Sequence, residues 1–135
     1  MSQFFSTKYR QGALDFSLFL LRLTGGGLMV HHGFDKLIHF QDKVRTFPDP
    51  IHIGPTLTLT LVIFAEFFCG VMVTVGLLTR LAVIPLVISS SIELLLEHKG
   101  RVFTDGEPIA LFLTMFLCLL FTGAGKFSLD RLIGK

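Results

Sequence analysis

Residues 56–79, TLTLTLVIFAEFFCGVMVTVGLLT, decide the fold, because Glu66 is the single charge in this long apolar run. A helix that crosses a bilayer needs roughly 20 consecutive apolar residues, and this run is long enough. Three further apolar runs lie at 12–34, 81–96 and 108–125. The sequence therefore predicts an all-α, integral membrane four-helix bundle that forms a single domain, 1–135, with helices near 12–34, 56–79, 81–98 and 108–123.

The composition excludes several classes of protein. Hydrophobic residues make up 51% of the chain and charged residues 16%, whereas a soluble domain has roughly 25% charged residues. A disordered chain, a nucleic-acid-binding module and most soluble enzymes are excluded. The alternative of a buried soluble bundle would need a polar outer face, which the runs lack. The first run does not resemble a cleavable signal peptide, since Asp15 and Arg22 interrupt it and no small-residue cleavage site follows.

Four spans place both termini on one side of the membrane, called side A here, together with the turn near Arg80. Side B holds the loops at 35–55 and 97–107. Of the 12 Lys and Arg residues, Arg22 lies within the first run, six lie on side A and five on side B. Cytoplasmic loops are richer in these residues, so we expect the termini in the cytoplasm. The 35–55 loop is either an ordered cap over side B or a surface loop. Cys69 and Cys118 are far apart, which indicates neither a disulfide framework nor a zinc site.

Two opposite charges lie inside the runs at similar predicted depth. The first helix is expected to end on side B and the second to start there. Arg22 lies about as many residues before that end as Glu66 lies after that start, so both are about 15 Å from side B. The sequence predicts that they form an ion pair near the middle of the membrane. On the first helix, a stripe of small and polar residues contains Arg22, and on the second a similar stripe contains Glu66. On the third, one stripe contains Ser89, Ser90, Glu93 and Glu97.

These buried charges permit two interpretations. A purely structural ion pair would fix the register of the helices. Alternatively, the charges line a polar cavity that binds a small polar headgroup or passes protons, because ionisable groups inside a membrane are functional candidates. Glu93 is a further candidate for the lining of this cavity, together with Arg22 and Glu66.

Side B gathers further polar residues at the helix ends. His32 and His98 are expected near the mouth of such a cavity, where two histidines can ligate a haem, bind a metal or carry protons. The alternative for both is plain anchoring at the membrane interface. No spacing in the chain resembles a metal motif. Glu107 and Pro108 suit the first turn of the fourth helix, where a carboxylate favours the helix dipole.

Several segments, in this order, carry a resemblance to a known family: Leu21-Arg22-Leu23 with Gly27 and His32-Gly33-Phe34-Asp35-Lys36-Leu37; Glu66 with Gly70, Gly76-Leu77 and Thr79-Arg80; Asp105-Gly106-Glu107; and Gly123-Ala124-Gly125-Lys126-Phe127-Ser128-Leu129-Asp130. Together they cover nearly the whole chain and resemble the signatures of the DoxX family of small membrane proteins. Ala124 stands where the family usually has Pro. The resemblance implies a four-helix membrane bundle and functional roles for Arg22, His32, Lys36, Glu66, Arg80 and Glu107, with a looser match at His98.

Some members of the DoxX family are assigned as subunits of quinone-linked oxidoreductases. The resemblance therefore implies a subunit or accessory protein of such an enzyme in a bacterial inner membrane, with a quinone or quinol as non-covalent ligand and no covalent cofactor. The expected partners are the lipid bilayer, a redox partner protein and further copies of the chain, and no nucleic acid. Two alternatives stay open: a small carrier of solutes or lipids, and a scaffold that recruits a partner through the 35–55 loop.

Overall fold

The structure is a computed structural model that describes residues 5–49, 52–97, 99 and 101–134. These residues form six helices: α1 (Gln11–Ile38), α2 (Phe40–Val44), α3 (Pro55–Val75), α4 (Thr79–Glu97), α5 (Glu107–Thr122) and α6 (Leu129–Gly134). The described residues contain no strand. Helices α1, α3 and α4 are long and apolar enough to cross a membrane, and α5 is a shorter apolar helix. The predicted all-α membrane bundle is confirmed.

The long helices differ from the predicted ranges mainly at their ends. Helix α1 has 28 residues, which corresponds to about 42 Å, and continues to Ile38 rather than stopping near residue 34. Helix α3 ends at Val75, before residue 79, because Gly76 adopts a left-handed conformation with φ 76°. Helix α4 is described to Glu97, and the predicted end at His98 lies outside the described residues. Helix α5 begins at Glu107, with Pro108 in its first turn.

The helices pack as two pairs around a common apolar core. Helix α1 packs mainly against α3, and α4 packs mainly against α5. The core lies between the pairs and contains buried residues of all four helices, among them Met29, Val73, Leu86 and Phe116. Large apolar side chains also cover the outside of the bundle, such as Phe68 at 61% exposure. This arrangement suits a bundle whose outer surface faces lipid.

Glycines set the register between α1 and α3. A Cβ atom on Gly26 would lie 2.8 Å from the carbonyl oxygen of Gly70, and one on Gly33 would lie 2.6 Å from the backbone nitrogen of Phe67. Backbones that approach this closely are typical of helix interfaces in membranes. The predicted small-residue stripe on α1 is therefore the face that meets α3.

The chain after α5 folds back across side A. The Asp130 carboxylate accepts hydrogen bonds from the backbone N–H groups of Leu78 and Thr79, which begin α4. The Asp130 N–H in turn donates to the carbonyl of Gly76. This exchange joins the C-terminal segment to the turn between α3 and α4.

Candidate functional site: a cavity between α3 and α4

A cavity of about 340 Å³ lies between α3 and α4 on the side B half of the bundle. Its lining residues are mostly apolar and come from three segments: Phe47, Ile53, Thr58, Leu61, Val62, Phe64, Ala65, Pro85, Ile88, Ser89, Ile92, Glu93 and Glu97. The volume is within the range of ligand-binding pockets, roughly 300–1,000 Å³. Among these lining residues there is no Lys, Arg or His.

Irregular helical turns border the cavity on both helices. Residues Phe64–Cys69 of α3 and Glu93–Glu97 of α4 form π-helical turns, and Pro85 interrupts α4 from within. A π-helical turn carries one residue more than an α-helical turn and commonly marks a functional site. A proline inside a helix removes a backbone hydrogen bond and kinks the helix. Residues of these irregular stretches, among them Phe64, Pro85 and Glu93, line the cavity.

The polar lining residues of α4 form a ladder. Ser89, Glu93 and Glu97 are four residues apart and therefore share one face of the helix. The ladder extends over about 12 Å from inside the bundle to the side B end of α4. The predicted polar stripe thus faces the cavity at these positions, whereas Ser90 is buried in the protein.

The loop between α2 and α3 covers the side B end of the cavity. Its side chains Phe47 and Ile53 form part of the cavity wall. Asp49 holds the loop, because its carboxylate accepts hydrogen bonds from the N–H groups of Ile53 and Gly54 and from the Thr58 hydroxyl. Around Phe47, Asp49 and Ile53, the 35–55 segment is therefore an ordered cap rather than a free surface loop.

The hydrogen bonds to Asp49 also determine its protonation. Desolvation by itself raises the pKa of a carboxyl group, but the bonds from Thr58, Gly54 and Ile53 stabilise the ionised form. The net result is that the pKa of Asp49 lies below its usual value. The loop is therefore held by an ionised carboxylate at neutral pH.

Arg22 lies at the opposite end of the bundle from this cavity. Its side chain is 0% exposed, and its guanidinium donates to the carbonyls of Ala124 at 2.9 Å, Thr74 at 3.1 Å and Phe127. Thr74 is in the last turn of α3, and Ala124 and Phe127 follow the end of α5. A helix dipole is negative at its C-terminus, so the ends of both helices attract the buried cation.

The predicted ion pair between Arg22 and Glu66 is wrong. Glu66 instead accepts a hydrogen bond from Lys36 at 2.7 Å, and both side chains are largely buried. Thr74, the partner of Arg22, and Glu66 are about 12 Å apart along α3. The Gly26 contact with Gly70 and Thr74 lies between them. Since backbones are packed there, Arg22 and Glu66 do not share a pocket.

The error arose from the assumed depth of the two residues. Helix α1 continues past residue 34, so Arg22 is farther from side B than the apolar run suggested. The register of α1 against α3 follows the glycine contacts, which place Lys36, rather than Arg22, beside Glu66. A long lysine side chain on a helix leans toward the N-terminus, and from Lys36 this direction leads into the bundle toward Glu66.

The remaining candidates from the sequence lie apart from one another. His32 is exposed, and its ring contacts those of His31 and Phe112. Glu107 is exposed in the first turn of α5, as predicted for a helix end. His98 lies outside the described residues, so its predicted approach to His32 stays a prediction. Within the described ranges, no group of three or more potential ligands could hold a metal ion.

Arg80 lies on side A, away from the cavity. Its side chain is close to Phe121 and Gly123 at the end of α5. Of the candidates predicted from sequence, Lys36 and Glu66 form one ion pair and Glu93 lines the cavity. Sequence reasoning missed Phe47, Thr58 and Pro85 as parts of this site. The position of Pro85 inside an apolar run is the sequence signal that could have indicated an irregular helix here.

Comparisons with known proteins agree with this architecture. The DoxX family model matches residues 17–98, which include most of α1, all of α3 and the described length of α4. No curated protein and no solved structure matches the chain. The match extends over more than half of the sequence and contains Lys36, Glu66 and Glu93. The chain therefore belongs to the DoxX family and is an integral membrane protein.

Proposed function

We propose that this protein is a subunit of, or an accessory to, a quinone-linked membrane oxidoreductase, and that the cavity between α3 and α4 receives the quinone or quinol headgroup. The observation that carries the proposal is the combination of apolar walls with a polar ladder in one pocket. A quinone has the same two parts, a ring with two polar oxygens and a long apolar tail. Phe64, Leu61 and Ile88 would contact the apolar parts, and Ser89 and Glu93 the oxygens.

The outer wall of the cavity supports entry from the lipid. Leu61, Phe64 and Ile88 line the cavity and are also about half exposed on the outer surface of the bundle. A hydrophobic ligand dissolved in the bilayer therefore reaches the pocket between α3 and α4 without passing through water. This feature favours a quinone or another lipid over a polar solute that crosses from one aqueous side to the other.

The charge of the pocket supports a neutral headgroup. Glu93 and Glu97 contribute carboxylates, and the described lining residues include no basic side chain. The described lining offers a phosphate headgroup no basic side chain to bind, whereas the hydroxyl groups of a quinol can donate hydrogen bonds to carboxylates.

The ladder supports proton movement linked to the redox step. Oxidation of a quinol to a quinone releases two electrons and two protons. In this proposal the electrons pass to a separate redox partner protein, and Ser89, Glu93 and Glu97 conduct the protons toward side B. Carboxyl and hydroxyl groups spaced one helical turn apart are suitable for relaying protons. In the reverse reaction the same ladder supplies protons to the quinone.

The proposal can be tested by measuring the quinone that the purified protein retains. Protein is extracted from membranes in mild detergent, and bound quinone is quantified by solvent extraction and mass spectrometry. Glu93→Gln and Ser89→Ala should reduce the quinone retained per protein. Glu107→Gln is the matched control, because Glu107 is also a glutamate at the side B end of the bundle but is exposed and does not line the cavity.

The measurement also distinguishes the alternatives. Equal quinone content in Glu93→Gln and Glu107→Gln would reject the cavity as the quinone site. Phospholipid in place of quinone would favour the lipid carrier, since the opening to the lipid serves either ligand. Loss of a co-purifying protein on replacement of the 45–49 segment would favour the scaffold.

For localisation we propose the bacterial inner membrane with both termini in the cytoplasm. The small excess of Lys and Arg on side A supports this orientation. A reporter fused to the C-terminus that is active only in the cytoplasm should be active, and an equivalent periplasmic reporter inactive. In this orientation the quinone cavity would open toward the periplasmic half of the membrane. Cross-linking in whole cells would detect the proposed redox partner and any contact between copies of the chain.

A further inference from the structure

A second cavity, of about 500 Å³, lies on side A, remote from the proposed quinone pocket. Its walls come from the start of α4, the glycine-containing segment that follows α5, and α6. Two arginines, Arg80 and Arg131, line it. Because α4 begins and α5 ends at this level, the cavity is at the boundary between the apolar bundle and water.

The charge balance of this cavity favours an anion. Among the described lining residues, Asp130 is the one that is acidic. Its two carboxylate oxygens accept hydrogen bonds from the N–H groups of Leu78 and Thr79 at 2.6 and 2.9 Å. Asp130 therefore serves to begin α4. Among the described residues, the Arg80 guanidinium donates one long hydrogen bond, of 3.4 Å, to the carbonyl of Phe121. A guanidinium has five N–H donors, so Arg80 has further donors to offer.

A buried hydroxyl group provides an independent observation. Thr79 lines the same cavity and is 1% exposed. Its hydroxyl oxygen has no hydrogen-bond partner among the described residues. A buried polar group without a partner is costly, and such a group commonly marks the position of a ligand or a water molecule. A phosphate oxygen in the cavity would supply the missing partner.

The edge of the cavity is apolar. Leu78 and Leu81 line it and are 51% and 62% exposed, in positions where the bundle faces lipid. A free phosphate ion would gain nothing from these side chains, whereas the glycerol and acyl groups of a phospholipid would cover them. Basic pockets between membrane helices are suited to phospholipid headgroups.

From these observations we infer that the side A cavity binds the phosphate group of an anionic phospholipid. Arg80 and Arg131 neutralise the phosphate, the Thr79 hydroxyl donates a hydrogen bond to it, and Leu78 and Leu81 contact the apolar part of the lipid. The site does not depend on the proposed quinone function. The bound lipid would link α4 to the C-terminal segment.

The experiment measures lipids retained by the full-length protein in native mass spectrometry. Wild-type protein is exchanged into detergent containing equal amounts of phosphatidylglycerol and phosphatidylcholine, which differ in net charge. We expect preferential retention of phosphatidylglycerol. Arg80→Gln and Arg131→Gln should each weaken this retention by about fivefold, the factor expected for one basic side chain at a membrane surface.

Two further variants separate the site from general charge and from misfolding. Lys126→Gln is the matched control, because Lys126 is also a cation of the C-terminal segment but does not line the cavity. It should retain phosphatidylglycerol as the wild type does. Thr79→Val keeps the shape of the side chain and removes the unpaired hydroxyl, so it should lower retention without lowering the thermal unfolding temperature.

A separate arm with inorganic phosphate distinguishes the two sources of the anion. Displacement of the lipid by millimolar phosphate would assign the site to a phosphate group alone, and retention of the lipid would assign it to the whole phospholipid. Equal retention of the two lipids by the wild type would overturn the inference. An equal loss in Lys126→Gln and Arg80→Gln, or unchanged retention in Thr79→Val, would also overturn it.

Discussion

Replacing Gly26 with Ala should loosen the packing of α1 against α3, whereas the same replacement at Gly27 should not. A Cβ atom on Gly26 would lie 2.4 Å from the Thr74 hydroxyl oxygen, 2.8 Å from the Gly70 carbonyl oxygen and 2.9 Å from the Thr74 backbone nitrogen. The Thr74 hydroxyl could rotate away, but the two backbone atoms can move only with the helix. A Cβ atom on Gly27 would meet nothing within 4 Å.

The expected magnitude follows from two opposing effects. Inserting a methyl group into a packed interface costs about 1–3 kcal/mol. Replacing Gly by Ala inside a helix gains at most about 1 kcal/mol. This gain should be similar at two neighbouring positions of one helix, so it cancels when the variants are compared. The Gly26→Ala protein should therefore be less stable than the Gly27→Ala protein by about 1–3 kcal/mol.

The assay is reversible unfolding of both variants in mixed micelles, with the free energy of unfolding obtained from the denaturing detergent fraction. Thermal unfolding temperatures provide a second measure. If Gly26→Ala is as stable as Gly27→Ala, or more stable, the two backbones are not in contact at this position. The proposed register, which places Lys36 beside Glu66, would then lose its support.

Further predictions concern the buried charges and the loop. In a double-mutant cycle with Lys36→Met and Glu66→Gln, the coupling energy should be about 1.5–3 kcal/mol, the range for a hydrogen bond between charged groups. A cycle of Arg22→Met with Glu66→Gln should show no coupling. The reverse result would restore the Arg22–Glu66 pair. Arg22→Lys should destabilise the bundle, because an ammonium group cannot donate to three separate carbonyls in the way that the planar guanidinium does. A thermal unfolding temperature equal to that of the wild type would contradict this role of Arg22. The pKa of Asp49 is lower in the folded loop than in the unfolded chain. Ionised Asp49 therefore stabilises the loop fully at pH values above its ordinary pKa of about 3.9. This stabilisation is lost as the pH falls through the pKa that Asp49 has in the folded loop. Hydrogen exchange should therefore detect loop opening under acid conditions in the wild type, and Asp49→Asn should weaken the pH dependence of that opening.

The membrane helices could be predicted because their signal is local. Each long run is apolar with few charges, and a run of this kind specifies a helix in lipid whatever its neighbours are. The buried stripe on α1 could also be predicted, since Arg22, Gly26 and Gly33 follow the period of a helix. The face of α1 that turns inward is thus encoded by α1 alone.

The partners of the charges could not be predicted in the same way. A pairing depends on the axial register of two helices, which here is set by glycine contacts to backbone atoms of Gly70 and Phe67. Arg22 is bound by three backbone carbonyls, and because every residue carries a carbonyl, no side chain in the sequence identifies those positions. Opposite charge at similar depth was therefore an insufficient criterion.

The cavity could be predicted from the sequence only in part. The stripe of Ser89, Glu93 and Glu97 indicated a polar face on α4, and the structure places these three residues along the cavity. The space itself is bordered by π-helical turns and by a loop held by Asp49. These features arise from tertiary packing, which the period of apolar residues does not encode.

The most direct test of the central claim is to locate a bound quinone by photocross-linking. A quinone analogue with a photoreactive group on its ring is incorporated into membranes that contain the protein, and labelled peptides are identified by mass spectrometry. The proposed site predicts labels in the stretches 58–65 and 85–97, reduced by an excess of unmodified quinone. Labels confined to the outer faces of α1 and α5, or labels that excess quinone does not reduce, would contradict it.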